Sequence, residues 1–400
     1  MSALQATIEN TYNTGASIGY VDEYHIQSIN QPELIKDDWQ KLEQQGMGCI
    51  YQNYDWVRIA CNTIEKNNSP YIITARNKDG LQFVLPMVIE GKTFKKLRWA
   101  GNTHANICGG LYAEAFLKLI DPQTMQEIFK LIKNSISGIA QSELKNQPLK
   151  LHGYINPMTY LSQGASVNNM YDMDLRDGID VILDAGSGKR KRKLWRKQNR
   201  VAESMGGCEL FIPSSEEEIS ESLKTFFDLK AIRFHEMGIK NVFEAKDTQD
   251  FFLEMALMPK ANGVKLFEIY ELRIGGKTRA MYAAGIYGNY CQAYVNAVAY
   301  DEFAEHSPGE MVLYAMIEHL IAEGYNKLDL GVGDERYKRS WCPNIHELFD
   351  TTLPLSKSAI PFVHAGNLKN SAKRYIRNNP DIWLKVKKIR KLKALFISPK

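Results

Sequence analysis

Apolar and polar positions are most regular in the second half of the chain. CELFIPSS (208–215) reads as a strand, and SEEEISESLKTFFDLKAIRFHEMG (215–238) has helical spacing that stops at Gly238. A second helix is expected across DTQDFFLEMALMPK (247–260). Three strand-like runs follow: LFEIYELRIG, KTRAMYAAGIY and CQAYVNAVAY. They are joined at Gly275-Gly276 and Gly288-Asn289, both tight-hairpin signals. A helix over 308–323 ends at Gly324 and leads to a short strand, NKLDLG (326–331). GDERYKRSW (333–341) reads as a short helix or turn, and HELFDTTLPL (346–355) as a last strand. The order is β-α-α-β-β-β-α-β-α-β, an α/β pattern (α+β, mixed sheet). The helix at 308–323 joins a strand to a parallel neighbour.

The first half repeats this order more faintly. HIQSIN (25–30) reads as a strand, PELIKDDWQKLEQQ and YDWVRIACNTIEK as helices, and YIITARN and QFVLPMVIEG as paired strands. A helix over 122–140 then precedes a strand at LKLHGYI (149–155). The pattern predicts a flexible tail (1–20), two copies of one fold (21–185 and 186–356) and a basic helical tail (357–400).

The join at 305–313, EHSPGEMVL, places a loop signature against a helix. Ser307 is expected as the N-cap, Pro308 at the first helical position and Glu310 at the third, completing a capping box. Gly309 is harder to explain structurally, since glycine in a first turn costs about 0.8–1 kcal/mol relative to alanine. A bare backbone there opens the N–H groups of Gly309, Glu310 and Met311 to an anion such as a pyrophosphate.

Charge is unevenly placed. Residues 357–400 hold 12 Lys or Arg and one Asp, although the whole chain carries only +4. A second basic block runs from Lys189 through KRKLWRKQNR (191–200). Both fit acidic partners: phosphate groups, anionic lipid or nucleic acid. On a helix, Arg192, Arg196 and Arg200 share one face and suit a phosphate or carboxylate, with Leu194 and Trp195 turned elsewhere as anchors. In DIWLKVKKIRKLKALF (381–396), Ile382, Val386, Ile389 and Phe396 fall near one side among lysines, as in a helix lying on an anionic membrane. The six cysteines are far apart without a CxxC pair, and the eight histidines show no HExxH, so neither a disulfide framework nor a metal site is expected. No apolar run is long enough to cross a bilayer. The polar start, with Glu9, lacks the character of a signal peptide. The expected location is the cytoplasm, with the inner face of the membrane as a peripheral site.

SPGEMVLYAMIEHLIAEGYNKLDLGVGDERYKRSW resembles the SPG…L…I…G…DxGxG…YK..W pattern of the CelD/BioF2-like acetyltransferases, a GNAT-fold family. The basic KRKLWRKQNRVAE segment and the run from NYDWVRIA to CGGLY are similar to the same family, so the resemblance covers roughly residues 25–355. It implies acyl transfer from acetyl-CoA, or another acyl-CoA, to an amine or hydroxyl of a sugar, lipid or polysaccharide precursor. In that fold the pantetheine arm lies between the splayed fourth and fifth strands, here YVNAVAY and LDLG. The usual Q/R-x-x-G-x-G/A phosphate loop is missing, and only Gly309 remains of it. The first half lacks a Ser-Pro-Gly and reads as a catalytically silent copy. The tandem arrangement also resembles the Fem transferases that use aminoacyl-tRNA, the enzyme alternative. A nucleic-acid-binding protein on an inactive scaffold is the other alternative, disfavoured because the Ser-Pro-Gly loop and ordered β-β-β-α-β run explain more of the chain than the basic blocks.

Attack on a thioester needs a base, a donor for the carbonyl oxygen and an acid for the thiolate. The resemblance implies that Tyr337 protonates the sulfur, with Lys338 beside it neutralising a phosphate. His235, His306, Glu310 and Asp334 are the candidate bases, His235 because its helix faces the acceptor in this fold. The expected cofactor site is Ser307, Pro308, Gly309, Glu310, Met311 and Lys338, and the expected acceptor site is Arg192, Arg196 and Arg200. An acidic or phosphorylated acceptor is the expected partner.

Overall fold

A computed structural model describes residues 15–161, 164–184, 188–259 and 265–379, together with 381–383 and 385–386. The chain forms two compact units, residues 1–168 with 346–375, and residues 169–345 with 376–400. A sequential division at 185/186 assigns the segment after residue 346 to the second domain or the tail, whereas it returns to the first unit.

The first unit opens with β1 (Ala16–Val21) and β2 (Tyr24–Ile29). The helices α1 (Lys36–Gln45) and α2 (Tyr54–Asn62) follow, then β3 (Ser69–Asn77), β4 (Gly80–Glu90) and β5 (Lys95–Trp99). Helix α3 (Pro122–Ser135) leads to β6 (Ile139–Pro148). The sheet runs β1-β2-β3-β4-β5-β6, with β5 and β6 parallel, so α3 is the crossover. Part of the expected tail is therefore ordered as β1; residues 1–14 lie outside the described residues. The helix expected over 122–140 stops at Ser135, because Gly138 turns the chain at φ +74°. The strand falls on 139–148, where Ile139, Ser142 and Leu144 are buried, and 149–155 forms only a hairpin of two-residue strands.

The second unit begins with β7 (Gly164–Asp174), joined at residues 169–174, then α4 (Gly178–Asp184) and α5 (Gly188–Ser204). Next come β8 (Cys208–Phe211), α6 (Glu216–Met237) and α7 (Lys246–Leu257). The strands β9 (Phe267–Ile274), β10 (Lys277–Tyr287) and β11 (Tyr290–Val298) form the predicted hairpins. Gly275 and Gly276 sit at φ +57° and +73°, which a two-residue turn of this hand requires. Helix α8 (Pro308–Ala322), β12 (Lys327–Val332) and α9 (Arg336–Trp341) complete the run. The sheet order is β7-β12-β11-β10-β9-β8, with β11 and β12 parallel and α8 between them. The remaining strand, β13 (Asn344–Pro354), pairs antiparallel with β6 in the first unit and is followed by α10 (Ile360–Asn378).

Both units thus carry the β-α-α-β-β-β-α-β order. The second unit's core is built on α8, whose Met311, Val312, Leu313, Met316, Ile317 and Leu320 are fully buried against β9 to β12. Local signals agree with this packing: Ser215 and Glu218 form a capping box on α6, and Gly238 closes it in the left-handed conformation.

Candidate active site

The parallel pair β11/β12 is hydrogen-bonded only at its start, through Tyr290–Lys327, Cys291–Leu328 and Gln292–Asp329. Beyond Gln292, β11 stays with β10 as far as Val298, with a bulge near Tyr294, while β12 ends its register with β11. Two strands that share a sheet and then part leave unpaired backbone edges facing each other. A cavity of about 540 Å³ lies here, lined by Asn296, Val298, Gly309, Glu310, Glu335 and Tyr337, with α6 as its far wall.

The N-terminus of α8 forms one side. Ser307 takes φ +55°, ψ +59°, a conformation that costs an L-residue about 1–2 kcal/mol. Its hydroxyl makes no cap bond, so the expected capping box is absent. The Glu310 carboxylate instead accepts from the Trp341 indole N–H at 2.5 Å. The Ser307 carbonyl accepts from the N–H of Glu310 at 2.9 Å and from that of Met311 at 3.4 Å. Only the Gly309 N–H and the Ser307 hydroxyl are left to meet a ligand, fewer donors than the sequence implies. A Cβ on Gly309 would lie 3.2 Å from Val298 Cγ2, so glycine also lets the helix approach β11. The crossover helix of the first unit differs: Asp121 caps α3 with its own carboxylate, accepting from the N–H groups of Gln123 and Thr124. An anion has no place there.

Tyr337 forms another side, half-buried at the start of α9. The Asn296 amide donates to the Tyr282 hydroxyl at 3.2 Å and to the Tyr337 hydroxyl at 3.4 Å. Burial, and then the neighbouring Tyr282, push the Tyr337 phenol well above its ordinary range. It keeps its proton at neutral pH and can act as a hydrogen-bond donor. The cation Lys191, buried against α9, lies 4.0 Å over the Trp341 ring and donates to the Ser340 carbonyl, tying α5 to the helix that carries Tyr337.

Of the expected site residues, the fold brings together Ser307, Pro308, Gly309, Glu310 and Tyr337. The others lie elsewhere. Lys338 is buried, its ammonium donating to the Val332 carbonyl at 2.7 Å and paired with Glu335 at 3.1 Å, so it is not presented to a phosphate. The Met311 side chain is in the core. His235 is exposed near the end of α6 and does not line the cavity. The His306 ring lies tilted against Phe303, and Asp334 is held by Tyr171 and Arg339. Arg192 is engaged by Asp180 and Asp184, both at 2.8 Å, and Arg196 and Arg200 are exposed; none of the three lines this cavity. Trp195 anchors α5 by stacking on Tyr314, whereas Leu194 faces solvent.

The residues that pattern reading missed are Asn296, Lys230 and Arg233. Asn296 was legible as the one amide inside the apolar run AYVNAVAY. Lys230 was legible too, four residues from Phe226 and from Phe234 on one helix face.

Residues 188–339 match the family model described as an acetyltransferase (GNAT) domain. No curated protein matches the chain. Among solved structures, FemX is 10% identical with a TM-score of 0.56, covering 83% of this chain and 98% of its own. The C-terminal domain of a putative lysylphosphatidylglycerol synthetase from Agrobacterium fabrum is 12% identical, with a TM-score of 0.52 and coverage of 85% and 96%. L-PGS from Bacillus licheniformis is 11% identical, with a TM-score of 0.51 and coverage of 85% and 97%. At these identities the likeness is one of fold. The strand divergence and the uncapped crossover helix both fall inside the segment that matches the acetyltransferase (GNAT) domain model.

Proposed function

We propose that this chain is an acyl-CoA-dependent N- or O-acyltransferase that moves an acyl group, acetyl in the simplest case, directly onto an amine or hydroxyl of a sugar, lipid or polysaccharide precursor. The observation that carries the reading is the opening between β11 and β12, with the uncapped end of α8 on one side and Tyr337 on the other. In this reading the pantetheine arm lies between the strands and the pyrophosphate meets the Gly309 N–H and the Ser307 hydroxyl. Glu310, the one candidate base that lines the cavity, takes the proton of the attacking group. The new bond forms at the thioester carbonyl, the carbon–sulfur bond breaks, and Tyr337 protonates the departing thiolate. The first unit acts as a silent copy, in keeping with the self-capped α3.

No helix among the described residues is long and apolar enough to cross a membrane. Association with the inner face of the membrane is part of the proposal: α10 exposes Leu368 and Tyr375, seven residues apart, beside Lys369, Lys373, Arg374 and Arg377. Most of the stripe expected at 382–396 lies outside the described residues.

The likeness to FemX over most of the chain supports a second reading, transfer from an aminoacyl-tRNA. A thermal-shift screen separates the two. Acetyl-CoA and related thioesters are expected to raise the melting temperature, while tRNA leaves it unchanged. Stabilisation by aminoacyl-tRNA alone would reverse the choice.

A further inference from the structure

The far wall of the cavity, α6, carries two cations that the transfer chemistry does not use. The Lys230 ammonium sits 5.3–5.8 Å from the ring centres of Phe226, Phe234 and Phe243, with no carboxylate partner among the described residues. Arg233, one turn on, lies 5.0 Å over the Tyr300 ring and has only an exposed contact with Glu236 at 3.5 Å. Both line the cavity. Neither carboxylate that shares it pairs with these cations: Glu335 is bound to Lys338, and Glu310 accepts from the Trp341 indole on the opposite side, at α8. Aromatic rings fix these cations in place without neutralising them, so this corner keeps uncompensated positive charge. Burial, and then Arg233, lower the Lys230 ammonium to about 8, the response of a cation that lacks an anion.

Next to this pair the surface turns apolar. Met237 and Ile239 line the cavity yet remain 42% and 37% exposed, and Val242 beyond them is 38% exposed. Large apolar side chains left open beside a charged pocket match a ligand that has both an anionic group and a hydrocarbon part.

We infer that the acceptor is an anionic amphiphile, its phosphate or carboxylate held by Lys230 and Arg233 and its apolar part lying on Met237 and Ile239. This rests on the acyltransferase reading and narrows its acceptor class. It also moves the anion site from the arginine row of α5 to α6.

Calorimetry on the full chain, in the presence of saturating CoA, uses octyl phosphate, octanoate, inorganic phosphate and neutral octyl glucoside as probes. At least one octyl anion is expected to bind about tenfold or more tighter than inorganic phosphate and octyl glucoside. Which of the two it is separates phosphate from carboxylate acceptors. The Lys230→Met, Arg233→Gln double variant is expected to bind that anion no better than octyl glucoside, while its acetyl-CoA affinity stays within about twofold. On the wild type, the same anion is expected to protect Lys230 from reductive methylation, read by mass spectrometry, which locates the site without relying on a variant's fold. Unchanged affinity in the folded double variant, unprotected Lys230, or octyl anions that bind no tighter than phosphate would each overturn the inference. Failure of acetyl-CoA to bind the wild type would count against the acyltransferase reading itself, a separate outcome.

Discussion

Tyr337 is the residue on which the proposed chemistry turns. Its phenol is protonated, bonded by Asn296 and placed in the cavity wall, but nothing about packing alone requires its hydroxyl. Tyr337→Phe is therefore expected to lower kcat by about 10²–10⁴-fold with little change in acetyl-CoA affinity, measured under conditions where chemistry limits turnover. A variant as fast as the parent would return Tyr337 to a packing role. Asp329 shows the opposite use of a buried group. Its carboxylate accepts from the Gly331 N–H and the Gln292 amide, yet burial raises its pKa from 3.8 to about 6. The folded protein thus holds this proton more tightly than the unfolded chain. The stabilisation is complete below about pH 4 and is lost as pH rises through about 6, amounting to about 3 kcal/mol. In urea unfolding, Asp329→Asn is expected to remove that loss between pH 4 and 7; parallel pH–stability curves for the two proteins would refute it. At this scale the sequence was legible where a residue's position follows from its neighbours in the chain, as for Gly309 and Tyr337, which both line the cavity. It was not legible for Glu310, Lys338 and Arg192, because their partners Trp341, Val332 and Asp180 are set by folding.

Elements were read well wherever glycine or a capping residue marks their ends. Helices α6 and α8 and the hairpins of β9 to β11 fall within a few residues of their expected bounds. The first half was harder, because β6 is mostly polar in sequence and its buried positions include Gln141, Ser142 and Gln147. No pattern within a segment could show that β13, which follows the second unit in the chain, pairs with β6 in the first. This pairing makes a prediction. A chain ending at Ile345 loses β13, including buried Leu348 and Phe349, and leaves an edge of β6 unpaired. Limited proteolysis is expected to degrade the first unit of this truncated chain while the second unit persists. Equal resistance of the first unit in both chains would show that β13 and α10 are together dispensable to it.

For the molecule as a whole, charge and element order point to different places. The basic blocks lie on α5 and the C-terminal segment, whereas the cavity proposed for the chemistry lies between β11, α8, α9 and α6. Net charge describes the surface a partner meets first. The order of strands and crossover helix describes where a sheet must open, and the proposed site is at that opening. The proposed function depends first on whether this opening, with the uncapped end of α8, holds an acyl-CoA. Isothermal titration of acetyl-CoA into the wild type and Gly309→Asp tests it most directly. The substitution puts a carboxylate beside the free N–H, and its Cβ presses on Val298 at 3.2 Å. Measurable binding to the wild type is expected, with a loss of about tenfold to a hundredfold in a variant whose circular dichroism is unchanged. Equal affinity in the folded variant, or no binding to the wild type, would contradict it.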